Sequence, residues 1–240
     1  MPVLNFSNKK NSTSGRRLRV TALRQLGKLT SAQMFRTERV IERLCKRGID
    51  ILAASIGLAL LSPLLLFVAV LIKLCDGGPV LFWQTRIGHR GKSFAFPKFR
   101  SMVVDAPQLK ADLIGNNDHG KSVTFKMKND PRVTSVGAII RRLSIDELPQ
   151  LWCVLTGKMT LVGPRPPVPG EVDRYSISDR RRLEAIPGLT CIWQVSGRGE
   201  IPFESQVELD VEYIQRRTLL LDFTLLLRTV PAVVTGRGAY

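Results

Sequence analysis

The chain has 240 residues, 44% of them hydrophobic, so it is long enough for one large core or two small ones and too apolar to be disordered. Thirty-six Lys and Arg face twenty Asp and Glu, and the formal charge of +16 calls for an anionic partner: nucleic acid, an acidic membrane face or phosphorylated substrates. Two histidines and four scattered cysteines, with no C-x-x-C pair, argue against a zinc site and a Ser-His-Asp triad, and leave Cys45, Cys75, Cys153 and Cys191 as free thiols of a reducing compartment.

Residues 1–45 read as a basic extension, partly disordered. Ser, Asn and Lys dominate its first fifteen residues. From Arg16 onward, Leu18, Leu23, Leu26 and Leu29 recur among cations at rough helical spacing, which suits a helix on an anionic membrane surface and equally a solvated basic tail.

Ile51 to Ile72 is a run of 22 residues without a charge, enough for a straight helix to cross a hydrocarbon core of roughly 30 Å. Ser62-Pro63 lies near its middle, where proline removes a helical hydrogen bond. Both flanks are basic, with Arg43, Lys46 and Arg47 before the run and Lys73, Arg86, Arg90 and Lys92 after it. Positive residues mark the cytoplasmic side. The sequence therefore predicts a re-entrant membrane helix over residues 46–75, broken at Ser62-Pro63, with a kinked spanning helix as the alternative. Asp50 would sit at the headgroup level and pair with Lys46 or Arg47.

Residues 76–240 read as a cytoplasmic α/β catalytic domain with membrane-surface amphipathic helices, so that the whole chain is mainly α with a small β component. Val80 to Trp83 and Phe94 to Arg100 have the composition of short strands, the second presenting Lys98 and Arg100 on one face. A charged surface face is the simpler reading of that pattern, and Arg86, Arg90 and Lys92 nearby favour a phosphate-facing groove. Ala106 to Ser122 reads as a helix followed by a loop at Gly115 to Asp118, and Val136 to Leu143 as a helix leading into the densest motif of the chain.

That motif is Arg141-Arg142-Leu143-Ser144-Ile145-Asp146-Glu147-Leu148-Pro149-Gln150-Leu151-Trp152. Pro149 is tolerated only in a first turn, so the helix carrying Leu151, Trp152 and Leu155 should begin close to Asp146, with both acids at an N-terminus that favours anions. A plain cap, by Ser144 with Glu147 or by Asp146 alone, is the simpler reading. The following Gly157-to-Pro167 loop is stiffened by prolines and holds out Arg165. Two carboxylates, several cations and a stiff loop suit phosphoryl transfer.

Further on, Gly170 to Glu184 is predicted as a charged helix ended by Pro187-Gly188, and Leu189 to Val195 as strand-like. Ser196-Gly197-Arg198-Gly199 forms a turn that presents Arg198 to an anion. Phe203 to Ile214 has helical periodicity, with Val207, Val211 and Ile214 on one side and Glu204, Glu208 and Glu212 on another. Leu219 to Val234 is apolar but interrupted by Asp222, Arg228 and Pro231, which fits a membrane-surface helix or a core helix better than a spanning one. It also suits a homodimer contact. Walker A, G-x-G-x-x-G and D-x-D patterns are all missing.

Taken in order, Lys46-Arg47-Gly48-Ile49-Asp50, Lys98-Phe99-Arg100-Ser101-Met102, Asp130-Pro131-Arg132, Arg141 to Trp152, Leu161-Val162-Gly163-Pro164-Arg165-Pro166, Pro187-Gly188-Leu189-Thr190 and the Arg237-to-Tyr240 ending resemble the bacterial sugar transferase family of monotopic phosphoglycosyl transferases, in its short, exopolysaccharide-initiating form. The resemblance implies transfer of a sugar 1-phosphate from a UDP-sugar to polyprenyl (undecaprenyl) phosphate, glucose or galactose being favoured, with release of UMP. It implies Asp146 as nucleophile, Glu147 as its partner on Mg²⁺, and Lys98, Arg141, Arg165 and Arg198 on the phosphates. It places the protein at the cytoplasmic face of the bacterial inner membrane. Cys153, Lys158 and Cys191 depart from the family pattern at positions where Asn, Asp and Gly are usual.

Two other classes account for less of the sequence. A nucleic-acid-binding module explains the charge but neither the acidic pair nor the proline loop, and no nucleic-acid partner is expected. An inactive scaffold of a polysaccharide assembly complex would not require the intact Asp146-Glu147 pair.

Overall fold

A computed structural model describes residues 11–106, 108, 109, 127, 129–236 and 238, with side chains from residue 40 onward. The chain divides into two compact units, residues 1–46 and 47–240. The first helix, α1, spans Asn11–Asp76 and so includes residues 11–15, which composition alone predicts to be disordered. Residues 1–10, most of the predicted 106–122 helix with its loop, and three of the last four residues lie outside the described residues.

From Val40 to Asp76, α1 has a mean hydropathy of 2.6 in its most apolar window, and among the described residues it alone is long and apolar enough to cross a membrane. It runs on through Ser62 and Pro63 as one helix, where the sequence predicts a break. The reason is local. Proline at 63 lacks the N–H that would bond the Ala59 carbonyl, and the Ser62 hydroxyl donates to that same carbonyl at 2.8 Å.

Within the second unit α1 buries one stripe. Asp50, Ala54, Val68 and Ile72 are buried, with Leu58, Leu65 and Ala69 half-buried between them, the i, i+4, i+7 spacing of one helical face. The Arg47 guanidinium donates to the carbonyls of Val154 (2.6 Å) and Leu155 (2.8 Å). Asp50 accepts from Thr160 Oγ1 (2.5 Å) and the Leu161 amide (3.1 Å) instead of pairing with Lys46 or Arg47, because the buried stripe carries it into the domain. The outer face, with Leu52, Leu60, Leu66, Phe67, Val70 and Leu74, is exposed. Leaving side chains of that size in water forgoes about 1.5–3 kcal/mol each, so this face calls for an apolar surrounding.

Two small sheets follow. β1 (Leu81–Ile87) and β2 (Ser93–Phe99) pair antiparallel as an isolated ribbon; β2 matches the strand read over Phe94 to Arg100, while β1 runs four residues past Trp83, where the sequence reading ends it, because pairing with β2 extends it. β3 (Thr160–Val162) and β4 (Gly188–Thr190) pair in parallel. The remaining elements among the described residues are helical: a 3-10 turn (His89–Gly91), α2 (Ser135–Arg142), a 3-10 turn (Ile145–Gln150), α3 (Leu151–Leu155), α4 (Pro169–Val172), a 3-10 turn (Asp179–Glu184), α5 (Ile192–Ser196), a 3-10 turn (Arg198–Glu200), α6 (Phe203–Arg216) and α7 (Leu219–Thr235).

The predicted 170–184 helix is two pieces. Ser176 and Asp179 cap each other, the Ser176 amide donating to Asp179 Oδ2 (2.9 Å) and the Asp179 amide to Ser176 Oγ (3.2 Å), and this restarts the chain. The strand read over Leu189 to Val195 stops at Thr190 and turns into α5. α7 has two apolar sides. Leu225 and Asp222 face the core, while Leu220, Phe223, Leu227, Val230 and Val234 form an exposed stripe at i, i+3, i+7 spacing. One core joins Ala54, Phe96, Val154, Met159, Val162, Tyr213 and Leu225, and a second joins Val68 and Ile72 to Phe99 and Ile140.

Candidate active site

The β1–β2 ribbon is a wall with two chemistries. Its register sets Phe82 opposite Lys98 and Gln84 opposite Phe96, and side chains alternate across the pleat. Phe82, Gln84, Arg86, Phe96 and Lys98 line a cavity of about 670 Å³, whereas Leu81, Trp83, Pro97 and Phe99 line an apolar groove on the other side against Leu58, Leu65 and Ala69 of α1.

The acidic pair lines that cavity from the 3-10 turn that follows α2. Thr134 caps α2 by accepting from the Gly137 amide at 2.9 Å, and a side chain at Gly137 would collide with the Ser101 carbonyl, so only glycine lets the helix approach β2 so closely. After Arg142 the chain turns at Ser144, which adopts a left-handed conformation (φ 54°) and makes no side-chain cap. Asp146 and Glu147 therefore lie inside the 3-10 turn. The expected helix start is displaced to Leu151, and α3 has five residues, too few for a strong dipole at the acids. Side-chain cations, more than a helix terminus, set the field at this pair.

The proline loop arrives by a backbone-to-backbone contact. A Cβ at Gly188 would meet the Gly163 amide nitrogen at 2.0 Å, while the Gly188 amide donates to the Pro164 carbonyl (2.9 Å) and the Gly163 amide to the Thr190 carbonyl (3.0 Å). Two motifs far apart in sequence thus lock into one β3–β4 unit. The lock aims Arg165 at Glu147, Nη2 to Oε1 at 2.9 Å.

Lys98, Arg141, Asp146, Glu147, Arg165 and Arg198 all line this cavity, so the residues singled out from sequence meet in one place. Burial, and then the neighbouring Glu147 charge, push the Asp146 carboxyl up to about 7, with Lys98, Arg141 and Arg165 pulling the other way. Burial would raise Glu147 too, but the charge and hydrogen bond of Arg165 outweigh it and hold Glu147 below its ordinary value. Burial, and then Arg86, bring Lys98 down to about 8. The Asp146 carboxylate has no hydrogen-bond or ion-pair partner among the described residues, and Glu147 has one oxygen on Arg165.

Of the three flanking cations read as facing phosphate, the structure brings only Arg86 into the cavity, and Arg90 and Lys92 lie at the exposed end of the ribbon. Strand alternation through Phe82, Gln84 and Arg86 was the available signal for Gln84. Arg100 does share the cavity face with Lys98, yet it is taken by Asp76 at the end of α1. Asp130 and Arg132 pair with each other, Nε to Oδ1 at 2.8 Å. Arg198, at φ 52°, is the turn residue expected, and its Nε donates to the Gln194 carbonyl at 3.3 Å.

A family model described as bacterial sugar transferase matches residues 41–236. The exopolysaccharide production protein ExoY of Rhizobium meliloti is 42% identical over 205 residues, which cover 84% of this chain and 91% of the relative. The UDP-glucose:undecaprenyl-phosphate glucose-1-phosphate transferase of Caulobacter vibrioides is 41% identical over 84% of this chain and 74% of its own length. The undecaprenyl-phosphate galactose phosphotransferase of Salmonella typhimurium is 41% identical over 82% of this chain, which spans only 42% of that longer relative. The matched span contains both strands of the ribbon, the acidic turn and the proline loop, and the chain belongs to the bacterial sugar transferase family.

Proposed function

We propose that this phosphoglycosyl transferase moves a sugar 1-phosphate, glucose or galactose 1-phosphate, from a UDP-sugar to a polyprenyl phosphate and releases UMP. The observation that carries the reading is a buried carboxylate, Asp146, without a partner of its own, beside Glu147 and among Lys98, Arg141 and Arg165. A buried acid left unpaired is costly to a fold and is kept where chemistry uses it. The names of the Caulobacter and Salmonella relatives supply the lipid acceptor and the sugars.

In this scheme an Asp146 oxygen attacks the phosphorus that bears the sugar. The bond from that phosphorus to the bridging oxygen breaks, and the bridging oxygen leaves with the electron pair as part of UMP. An oxygen of the lipid phosphate then attacks the same phosphorus, the Asp146 oxygen departs, and the carboxylate is restored. Neither step needs a proton. One carboxylate serves both halves because UMP leaves before the lipid attacks, which gives ping-pong kinetics. Lys98, Arg141, Arg165 and Arg198 neutralise the phosphate oxygens as charge shifts among them.

Mg²⁺ fits the pair. Among the described residues no group of three or more His, Cys, Asp or Glu is placed to hold a metal, so an ion held by Asp146 and Glu147 would take its remaining oxygens from the donor phosphates and water, as Mg²⁺ commonly does. Bound there, it supplies the charge that lets a carboxylate approach a diphosphate. α1 then works as a re-entrant helix whose exposed apolar face enters one leaflet of the bacterial inner membrane, with the exposed stripe of α7 on the same surface and the cavity at headgroup level on the cytoplasmic side.

The test is UMP formation by nanodisc-embedded protein with UDP-glucose or UDP-galactose, undecaprenyl phosphate and Mg²⁺, for wild type and Asp146→Asn. Lipid-dependent UMP lost in the variant is the expected result. Equal UMP from both proteins would remove Asp146 as nucleophile, and none from wild type across a panel of UDP-sugars would leave the scaffold reading.

A further inference from the structure

We propose that Arg86, with Gln84 beside it, holds the phosphate that leaves with the nucleotide; the assignment rests on the reaction proposed above. The large cavity contains more cations than its acids account for. Arg100 is paired with Asp76, Arg132 with Asp130, Arg182 with Asp210 and Arg165 with Glu147. Arg86 has no carboxylate bonded to it. Its Nη1 donates to the Pro166 carbonyl at 2.9 Å, and its guanidinium carbon lies 5.0 Å from the centre of the Phe96 ring. Its Nε is buried without a partner, as is Oε1 of Gln84 two residues earlier on the same face of β1. Turned over, the Gln84 amide would present its NH₂ at that position. A half-buried cation with a buried idle donor and a neighbouring amide make a receptor for an anion that the protein does not itself supply.

Position decides which phosphate. Lys98 stands opposite Phe82 in the ribbon and Arg86 opposite Phe94, so the two cations are four residues apart along β1. Arg86 is fixed at its end by the carbonyl of Pro166, next to Arg165 in the proline loop. The phosphorus attacked by Asp146 has to lie against Asp146, with Lys98 and Arg141 around it. The second phosphate of the donor then falls to Arg86 and Gln84, with Arg165 between the two. When the phosphorus–oxygen bond breaks, the bridging oxygen departs on this second phosphate as it gains charge, and Arg86 is the cation held ready for it.

The assignment predicts a phosphate-selective loss of product binding. Titration calorimetry on the full chain in nanodiscs would compare UMP with uridine for wild type, Arg86→Gln, Arg86→Lys and Lys92→Gln, the last removing an exposed charge at the end of the ribbon. Arg86→Gln should weaken UMP about tenfold or more and leave uridine unchanged, Arg86→Lys should recover part of the loss, and Lys92→Gln should bind UMP as wild type does. Equal losses for UMP and uridine would mean that Arg86 shapes the cavity and does not hold the phosphate. Unchanged UMP affinity in Arg86→Gln, or a loss in Lys92→Gln as large as in Arg86→Gln, would also overturn the assignment. Lipid-dependent UMP formation by wild type separates these results from a failure of the proposed reaction, in which wild type forms no UMP.

Discussion

Two buried aspartates in this protein look alike in isolation and differ in their company. Burial pushes both above the ordinary carboxylate range, Asp146 to about 7 and Asp210 to about 6. Asp210 on α6 accepts from Arg182 Nη2, and Arg182 reaches Tyr175 Oη (3.2 Å) and lies 5.8 Å from the centres of the Tyr175 and Phe203 rings. That cluster ties the 3-10 turn at Asp179–Glu184 to α6. Asp146 has cations nearby and none bound. A closed ion pair marks a strut of the fold, whereas an acid held among cations that do not engage it marks a place kept for a ligand.

The largest effect that would break this contrast is on turnover. Asp146→Asn should lower lipid-dependent UMP formation by on the order of a thousandfold or more, while Asp210→Asn should act mainly through stability. A retained rate in Asp146→Asn would make the two aspartates equivalent.

Next in size is the cost of opening the strut. Arg182→Met leaves Asp210 buried without its cation and should destabilise by about 3 kcal/mol, a fall of several degrees in the thermal midpoint of the nanodisc-embedded protein. A midpoint within a degree of wild type would show that the pair contributes nothing.

Asp146→Asn should do the opposite. A carboxyl whose folded pKa lies above its unfolded value keeps its proton in the fold at pH values where the unfolded chain has lost it, so the stability of the fold falls as pH rises from about 4 to about 7. The variant is free of that loss. Its midpoint should exceed that of wild type at pH 8, by a margin equivalent to about 4 kcal/mol, and the two should converge toward pH 4. A margin that stays constant between pH 4 and pH 8 would contradict the burial argument.

The smallest predicted effect concerns α1. Ser62→Ala removes the hydroxyl that serves the Ala59 carbonyl left free by Pro63, and should cost about 1 kcal/mol in thermal stability, with Ser62→Thr close to wild type. Equal stability of all three would mean that another group serves that carbonyl.

The strand over Phe94 to Arg100, the apolar run after Asp50, the helix over Phe203–Arg216 and the glycine and proline motifs were all legible in the sequence, because each is a local pattern of period, charge or backbone restriction. So was the list Lys98, Arg141, Asp146, Glu147, Arg165 and Arg198, through the resemblance. Less legible were elements whose form depends on contacts from elsewhere. The acidic pair reads as a helix start, yet Ser144 turns left-handed and places both acids in a 3-10 turn. Asp50 reads as a headgroup partner for Lys46 or Arg47 and is instead drawn to Thr160 and Leu161, more than a hundred residues away. Arg86, Arg90 and Lys92 read alike as flanking cations, and only the ribbon's register and twist set one of them inside the cavity and leave two outside.

The sequence by itself determined which chemical groups this protein has and which short elements carry them, since propensity and periodicity act over a few residues. The tertiary structure decided which charges are joined in ion pairs, such as Arg182 with Asp210, and which have no ion-pair partner among the described residues, such as Asp146 and Arg86. Pairing and desolvation depend on neighbours brought together across the whole chain, and a linear pattern does not encode the distances that settle them.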